Sequence, residues 1–167
     1  METFEKLVFE GFKESDVDVL TPIMKRAFDQ DMYMHTGKDE GGPPGYDNGN
    51  LLRKWYLEKD GKIGYKVSMD GKPIGGISIY ADKEGTNILS NIFIDPGCQE
   101  KGVGLSMWKF VEIKHPAPIW RTGTPAFSKR NHSFYVNKCG FAIVKITNPK
   151  SDFAVYQLEK RIAKERL

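Results

Sequence analysis

The chain has 167 residues, 40% hydrophobic and 28% charged, with 25 Lys plus Arg against 22 Asp plus Glu for a net charge of +3. That size and balance describe one domain, residues 1–167, able to bury a core. They argue against nucleic acid as a partner and against a membrane span, which needs roughly 20 apolar residues in a row.

Met1 to Phe12 lacks the basic start and apolar stretch of a secretory leader, so the cytoplasm is the expected compartment. Two distant cysteines, Cys98 and Cys139, and three scattered His form neither a disulfide framework nor a metal pattern. The densest basic stretch, Lys160, Arg161, Lys164 and Arg166, is broken by Glu165 and reads as a solvated end.

Lys6 to Phe12 alternates loosely and predicts a first strand. Ser15 has the chemistry of a helix cap, with Asp16 and Asp18 in the favourable first turn. Leu20, Ile23, Met24, Ala27 and Phe28 follow at helical spacing. Pro22 interrupts that pattern, so either the helix starts at Thr21 and Pro22 or a short turn precedes it. Thr36 to Asn50 holds five Gly and two Pro and reads as a long loop. Leu51 to Glu58 reads as a short helix. From Lys62 the period becomes two: Ile63 to Met69, Ile74 to Ile79 and Ile88 to Ile94 predict an antiparallel meander, with turns at Asp70-Gly71 and Glu84-Gly85. Gly102 to His115 is a helix stopped by Pro116 and Pro118, with Val103, Met107, Phe110 and Val111 on one face. A strand at Ile119 to Gly123, a short helix at Asn131 to Lys138 ended by Gly140, and strands at Phe141 to Ile146 and Phe153 to Leu158 complete the chain. The predicted class is α/β (α+β), with one mixed, mostly antiparallel sheet of six or seven strands flanked by about four helices.

The chemistry concentrates in Asn91 to Gly104, where a buried strand runs through a Pro-Gly turn into a glycine-rich helix start. Unpaired amides at such a start attract phosphate, and Gly102 and Gly104 allow close approach. A nucleotide P-loop would require Gly-Lys-Ser/Thr here, and a dinucleotide turn a third glycine; the sequence has neither.

Gln99-Glu100-Lys101-Gly102-Val103-Gly104 resembles motif A of the GNAT superfamily of N-acetyltransferases, Gln/Arg-x-x-Gly-x-Gly/Ala after a strand ending near Pro. Phe134-Tyr135-Val136-Asn137-Lys138-Cys139-Gly140-Phe141 looks like its motif B. The order of elements fits that family over essentially the whole chain. The resemblance implies acetyl-CoA as co-substrate, no metal, and acetyl transfer to a primary amine, most naturally of a small molecule. A protein or peptide acceptor, or a catalytically inactive CoA-binding sensor, are the alternatives. It also implies that main-chain groups of Ile92, Phe93 and Ile94 pair with the pantetheine arm where the sheet opens. Amides of Gln99, Glu100, Lys101, Gly102, Val103 and Gly104 would hold the pyrophosphate. The family often pairs through sheet edges or C-terminal strands, so a homodimer is compatible with it.

Acetyl transfer needs a neutral amine, donors for an oxyanion and a proton for the departing thiolate. By resemblance Tyr135 is the proton donor, amides near Phe93 or Ile94 meet the oxyanion, and Asn131 contacts CoA. The family usually has one fewer residue between that Tyr and Gly-Phe. A one-residue bulge would restore both Asn131 and Tyr135, which stand i, i+4 on one helix face. The strand of motif A offers no base at neutral pH, only Asn87, Ser90 and Asn91. Asp29, Asp31, His35, Asp39, Glu40 and Asp47 sit in or beside the long loop. His35 and Trp55 are the expected substrate-binding residues.

Overall fold

A computed structural model describes residues 1–57 and 60–163. Eight strands form one sheet in the order β1-β2-β3-β4-β5-β6-β8-β7: β1 Glu2–Phe4, β2 Leu7–Gly11, β3 Lys62–Met69, β4 Lys72–Ala81, β5 Thr86–Ile94, β6 Ile119–Pro125, β7 Ala142–Thr147 and β8 Val155–Arg161. This is one strand more than expected, because three-residue β1 hairpins onto β2. All pairings are antiparallel except β5 with β6.

Helix α1, Val17–Thr36, covers one sheet face. It begins earlier than Pro22 suggests. A 3-10 turn at Glu14–Asp16 precedes it, and Asp16, not Ser15, serves the helix start, taking the Lys13 amide at 2.9 Å. Pro22 lies inside the helix, removing the amide that would bond Asp18, an exposed residue. Gly37, at φ 73°, ends α1 in a left-handed cap whose amide bonds the Tyr33 carbonyl. The following loop is pinned back to α1 through Asp29, which accepts from Lys25 Nζ (2.6 Å), Tyr46 Oη (2.7 Å) and the Gly41 amide (3.1 Å). Helix α2, Asn50–Leu52, continues as a π turn over Arg53–Leu57; the expected helix end at Glu58 lies outside the described residues, as do Lys164, Glu165 and Arg166. Helix α3, Val103–Lys114, covers the opposite face, and α4, Lys129–Ser133, runs into a second π turn at Phe134–Lys138.

Two apolar cores result. One packs α3 (Met107, Trp108, Phe110, Val111) on Leu7, Phe9, Val67, Ile77 and Ile79. The other packs α1 (Leu20, Ile23, Met24, Ala27) with Leu52, Tyr56 and Phe93. A bulge in β5 decides which strand residues join which. Leu89 pairs with Ile79 but Asn91 pairs with Ser78, so Ser90 is the extra residue. The extra residue inverts the strand's faces. Leu89 joins the α3 core, whereas Phe93 joins the α1 core.

Candidate active site

The parallel strands β5 and β6 pair only over Thr86–Ile88 with Ile119–Arg121, then part. The opening becomes a cavity of about 500 Å³ walled by α1 (Ala27, Phe28, Asp31), the end of β5, the turn before α3, and α4 with its π turn (Arg130, Asn131, Phe134, Tyr135). Its β5 wall has a defined polarity. The Asp95 amide bonds the Ile74 carbonyl at 2.7 Å, and antiparallel pairs alternate between bonded and unbonded. Phe93 therefore turns its main-chain groups to β4, and Ile92 and Ile94 turn theirs to the opening. This corrects the expectation of three consecutive pairing residues: Phe93 contributes its ring, buried against Tyr56 at 6.3 Å between centroids.

The turn before α3 is an array of unused donors. Among the described residues no acceptor lies on the amides of Glu100, Lys101, Gly102, Val103, Gly104 or Leu105; the first helical bond runs from the Ser106 amide to the Gly102 carbonyl at 3.0 Å. Glu100 (φ 63°) and Gly102 (φ 77°) both take the left-handed conformation, which curls successive amides toward one side. Gln99, Glu100, Gly102 and Gly104 line the cavity, while Lys101 does not and Val103 buries its side chain in the α3 core. A methyl on Gly104 would sit 3.2 Å from Ile94 Cδ1 and Phe134 Cε2, so glycine keeps the passage open.

The additional residue of the second motif is absorbed by the π turn. The Cys139 amide reaches back five residues to the Phe134 carbonyl at 3.1 Å, and the Phe141 amide bonds the Tyr135 carbonyl at 3.0 Å. Asn131 and Tyr135 both line the cavity in consequence. Tyr135 is buried, and burial raises its phenol well above the ordinary tyrosine range, with the Cys139 sulfur adding to the shift and a hydrogen bond with Thr122 opposing it.

Several cavity contacts were not legible in the sequence. Gln99 Nε2 donates to the Ile94 carbonyl at 2.9 Å, Arg130 Nη1 donates to Gln99 Oε1 at 2.6 Å, and Arg130 Nη2 lies 3.5 Å from Asp31 Oδ1. Ser128 Oγ donates to the same Asp31 oxygen at 2.9 Å. The expected substrate residues sit elsewhere. His35 stands one turn beyond Asp31, 3.4 Å from it and behind the cavity wall, and Trp55 packs on the α1 core. Cys139 is core, its thiol pushed up to about 12 by burial, and Cys98 is half-buried in the turn.

Residues 25–141 match the acetyltransferase (GNAT) family. The chain is 35% identical over 145 residues to the uncharacterized protein YrkN of Bacillus subtilis strain 168, covering 86% of this chain and 77% of that one. By fold it superposes on an acetyltransferase from Thermus thermophilus (TM-score 0.74, 13% identity, 95% of this chain and 99% of that one). It also superposes on a Bacillus subtilis acetyltransferase in complex with CoA (TM-score 0.67, 19% identity, 95% and 100%). The chain belongs to the GNAT family of acetyltransferases.

Proposed function

We propose that the protein transfers the acetyl group of acetyl-CoA to the primary amine of a small molecule. The unpaired amides of Glu100 to Leu105, beside the gap between β5 and β6, are the observation that carries the reading. An array of amides at a helix start suits a pyrophosphate, and the outward main-chain groups of Ile92 and Ile94 suit the amides of a pantetheine arm. Acetyl-CoA supplies the activated acetyl thioester. Around it, an outward main-chain amide of β5 is the donor for a developing oxyanion. Tyr135 holds at Oη the proton a leaving thiolate needs, and burial keeps that proton in place at neutral pH. Asn131, one helical turn before Tyr135, fixes the arm.

A small acceptor suits the aromatic and acidic lining of Phe28, Phe93 and Asp31. Two further proteins of this fold show the range of acceptors it serves: a spermidine N-acetyltransferase from Vibrio cholerae in complex with CoA and spermine, and the ribosomal-protein-S18-alanine N-acetyltransferase of Escherichia coli. Calorimetric titration with acetyl-CoA, followed by CoA release over a panel of amines and lysine peptides, tests the proposal. Binding with release on small amines supports it. Release on peptides alone, or binding without release on any acceptor, replaces it with a protein acetyltransferase or a CoA-binding module.

A further inference from the structure

The gap between β5 and β6 has a closed end as well as a mouth. The two strands pair from Thr86 and Ile119 to Ile88 and Arg121, and the next pair in that register is Leu89 with Thr122. There a side chain takes over from the ladder: Thr122 Oγ1 donates to the Leu89 carbonyl at 2.9 Å. Beyond it the strands separate. Thr122 and Leu89 are both buried, at 6% and 2% exposure. The cavity reaches Ile92 and Tyr135 and stops short of the Thr122–Leu89 pair. Aromatic rings back that pair. Trp120, two residues before Thr122 and on the same strand face, is fully buried and packs edge-on against Trp108 at 5.0 Å. Leu89 and both rings belong to the α3 core. A packed interior of this kind does not take in an added methylene without strain.

The order of parts along β5 sets what arrives at this closed end. The amide array follows Ile94 through Asp95 and the turn. A diphosphate held there lays the arm along Ile94 and then Ile92, so the thioester end points toward Leu89 and Thr122. We propose that Thr122, bonded to Leu89, is the end wall of the acyl site and limits the transferred group to acetyl, excluding longer straight-chain acyl groups. This rests on the acetyltransferase reading and defines the acyl donor within it. The β-branched side chain supplies the bulk of the wall and is stiff in its own right. The bond to Leu89 aligns the two strands at that point. A propionyl or butyryl chain has to drive Thr122 toward Trp120 or part the strands at Leu89. One methylene too many in such a site is worth roughly 10–200-fold in discrimination.

The test uses the full chain and calorimetric titration with CoA, acetyl-CoA and butyryl-CoA. Binding is the readout rather than turnover, because Thr122 also hydrogen-bonds with Tyr135. The wild type is expected to bind acetyl-CoA more tightly than butyryl-CoA by about tenfold or more. Thr122→Ala removes the wall and should shrink that ratio by about fivefold or more. Thr122→Ser keeps the bond to Leu89 and loses only the methyl. It should shrink the ratio by a smaller factor, and it gives the answer if Thr122→Ala does not fold. Thr122→Val keeps the bulk but breaks the bond, as Thr122→Ala does, and should hold the wild-type ratio. That contrast separates a wall from a merely structural bond, which both substitutions would disturb alike. A wild type that binds both thioesters equally overturns the proposal, as does Thr122→Ala or Thr122→Ser with the full ratio, or Thr122→Val with a ratio relaxed like that of Thr122→Ala. A wild type that binds neither CoA nor acetyl-CoA removes the underlying reading instead, so the two failures are distinguishable.

Discussion

Gly75 of β4 and Phe93 of β5 approach so closely that a Cβ on Gly75 would stand 2.1 Å from the Phe93 carbonyl oxygen. A Cβ on the neighbouring Gly76 would stand 2.9 Å from the Tyr56 hydroxyl and 3.0 Å from the Phe93 ring. Two glycines therefore let the aromatic lining of the α1 core lie flat on the sheet just where β5 forms the cavity wall.

Gly75→Ala must push β5 away from β4, because the obstacle is backbone and cannot rotate aside. We expect a loss of about 1–3 kcal/mol of stability and a weakened acetyl-CoA affinity, since Ile92 and Ile94 move with the strand. Chemical denaturation and calorimetric titration read the two effects. Unchanged values in both would show that β5 is not set by this contact.

Gly102→Ala addresses the amide array alone. A Cβ there meets nothing within 4 Å, so sterics are not at issue, but φ is +77°. Holding alanine in that region costs about 1–2 kcal/mol. The expected result is a modest drop in melting temperature and a drop of tenfold or more in acetyl-CoA affinity as the turn relaxes. Equal affinity for wild type and variant would show that the curl of these amides is not what binds the diphosphate.

Tyr135→Phe should leave acetyl-CoA binding within about twofold and reduce kcat by about 100-fold, the lower range for a positioned proton donor. Because burial raises the Tyr135 phenol, with Cys139 in the same direction, the wild type should show no alkaline loss of kcat attributable to it below about pH 10. A kcat that survives the substitution would move the donor role to water.

Asp29 controls acid stability. Burial opposes its ionisation, but hydrogen bonds from Lys25, Tyr46 and the Gly41 amide outweigh that and hold its carboxyl below the usual range. A carboxylate with a depressed folded value contributes stability that is present above the unfolded value near about 3.9 and lost as pH falls through the folded one. Asp29→Asn should therefore lower the melting temperature at pH 7 and flatten its decline below about pH 4. Parallel curves for variant and wild type would show that the loop from Gly37 to Gly49 is held otherwise.

Thiol labelling offers a direct check of packing. Cys98 should react with iodoacetamide in the folded protein, while Cys139, its thiol raised to about 12 by burial, should react only after unfolding. Equal rates would place Cys139 outside the core.

Much of this architecture is written in local patterns. The period-two stretches from Lys62 to Ile94, the Asp70-Gly71 turn, the amphipathic run after Gly102 and the glycines of the turn are short-range features, and short-range sterics and burial periodicity decide them. They sufficed to indicate the sheet, the glycine-rich helix start, and the family. The one-residue excess between Tyr135 and Gly140 was visible too, and the backbone absorbs it as a π turn.

What depends on distant parts of the chain came only from the folded structure. The bulge at Ser90, which sends Phe93 to the α1 core, follows from how β5 registers on β4. The start of α1 ahead of Pro22 follows from Asp16, which accepts from Lys13 and pairs with Lys66 on β3 at 2.9 Å. Asp31, Ser128, Arg130 and Gln99 meet across nearly a hundred residues, and no local spacing encodes such a meeting. Secondary structure answers to neighbours along the chain, whereas a site answers to neighbours in space, and those exist only once the sheet has set which elements face each other.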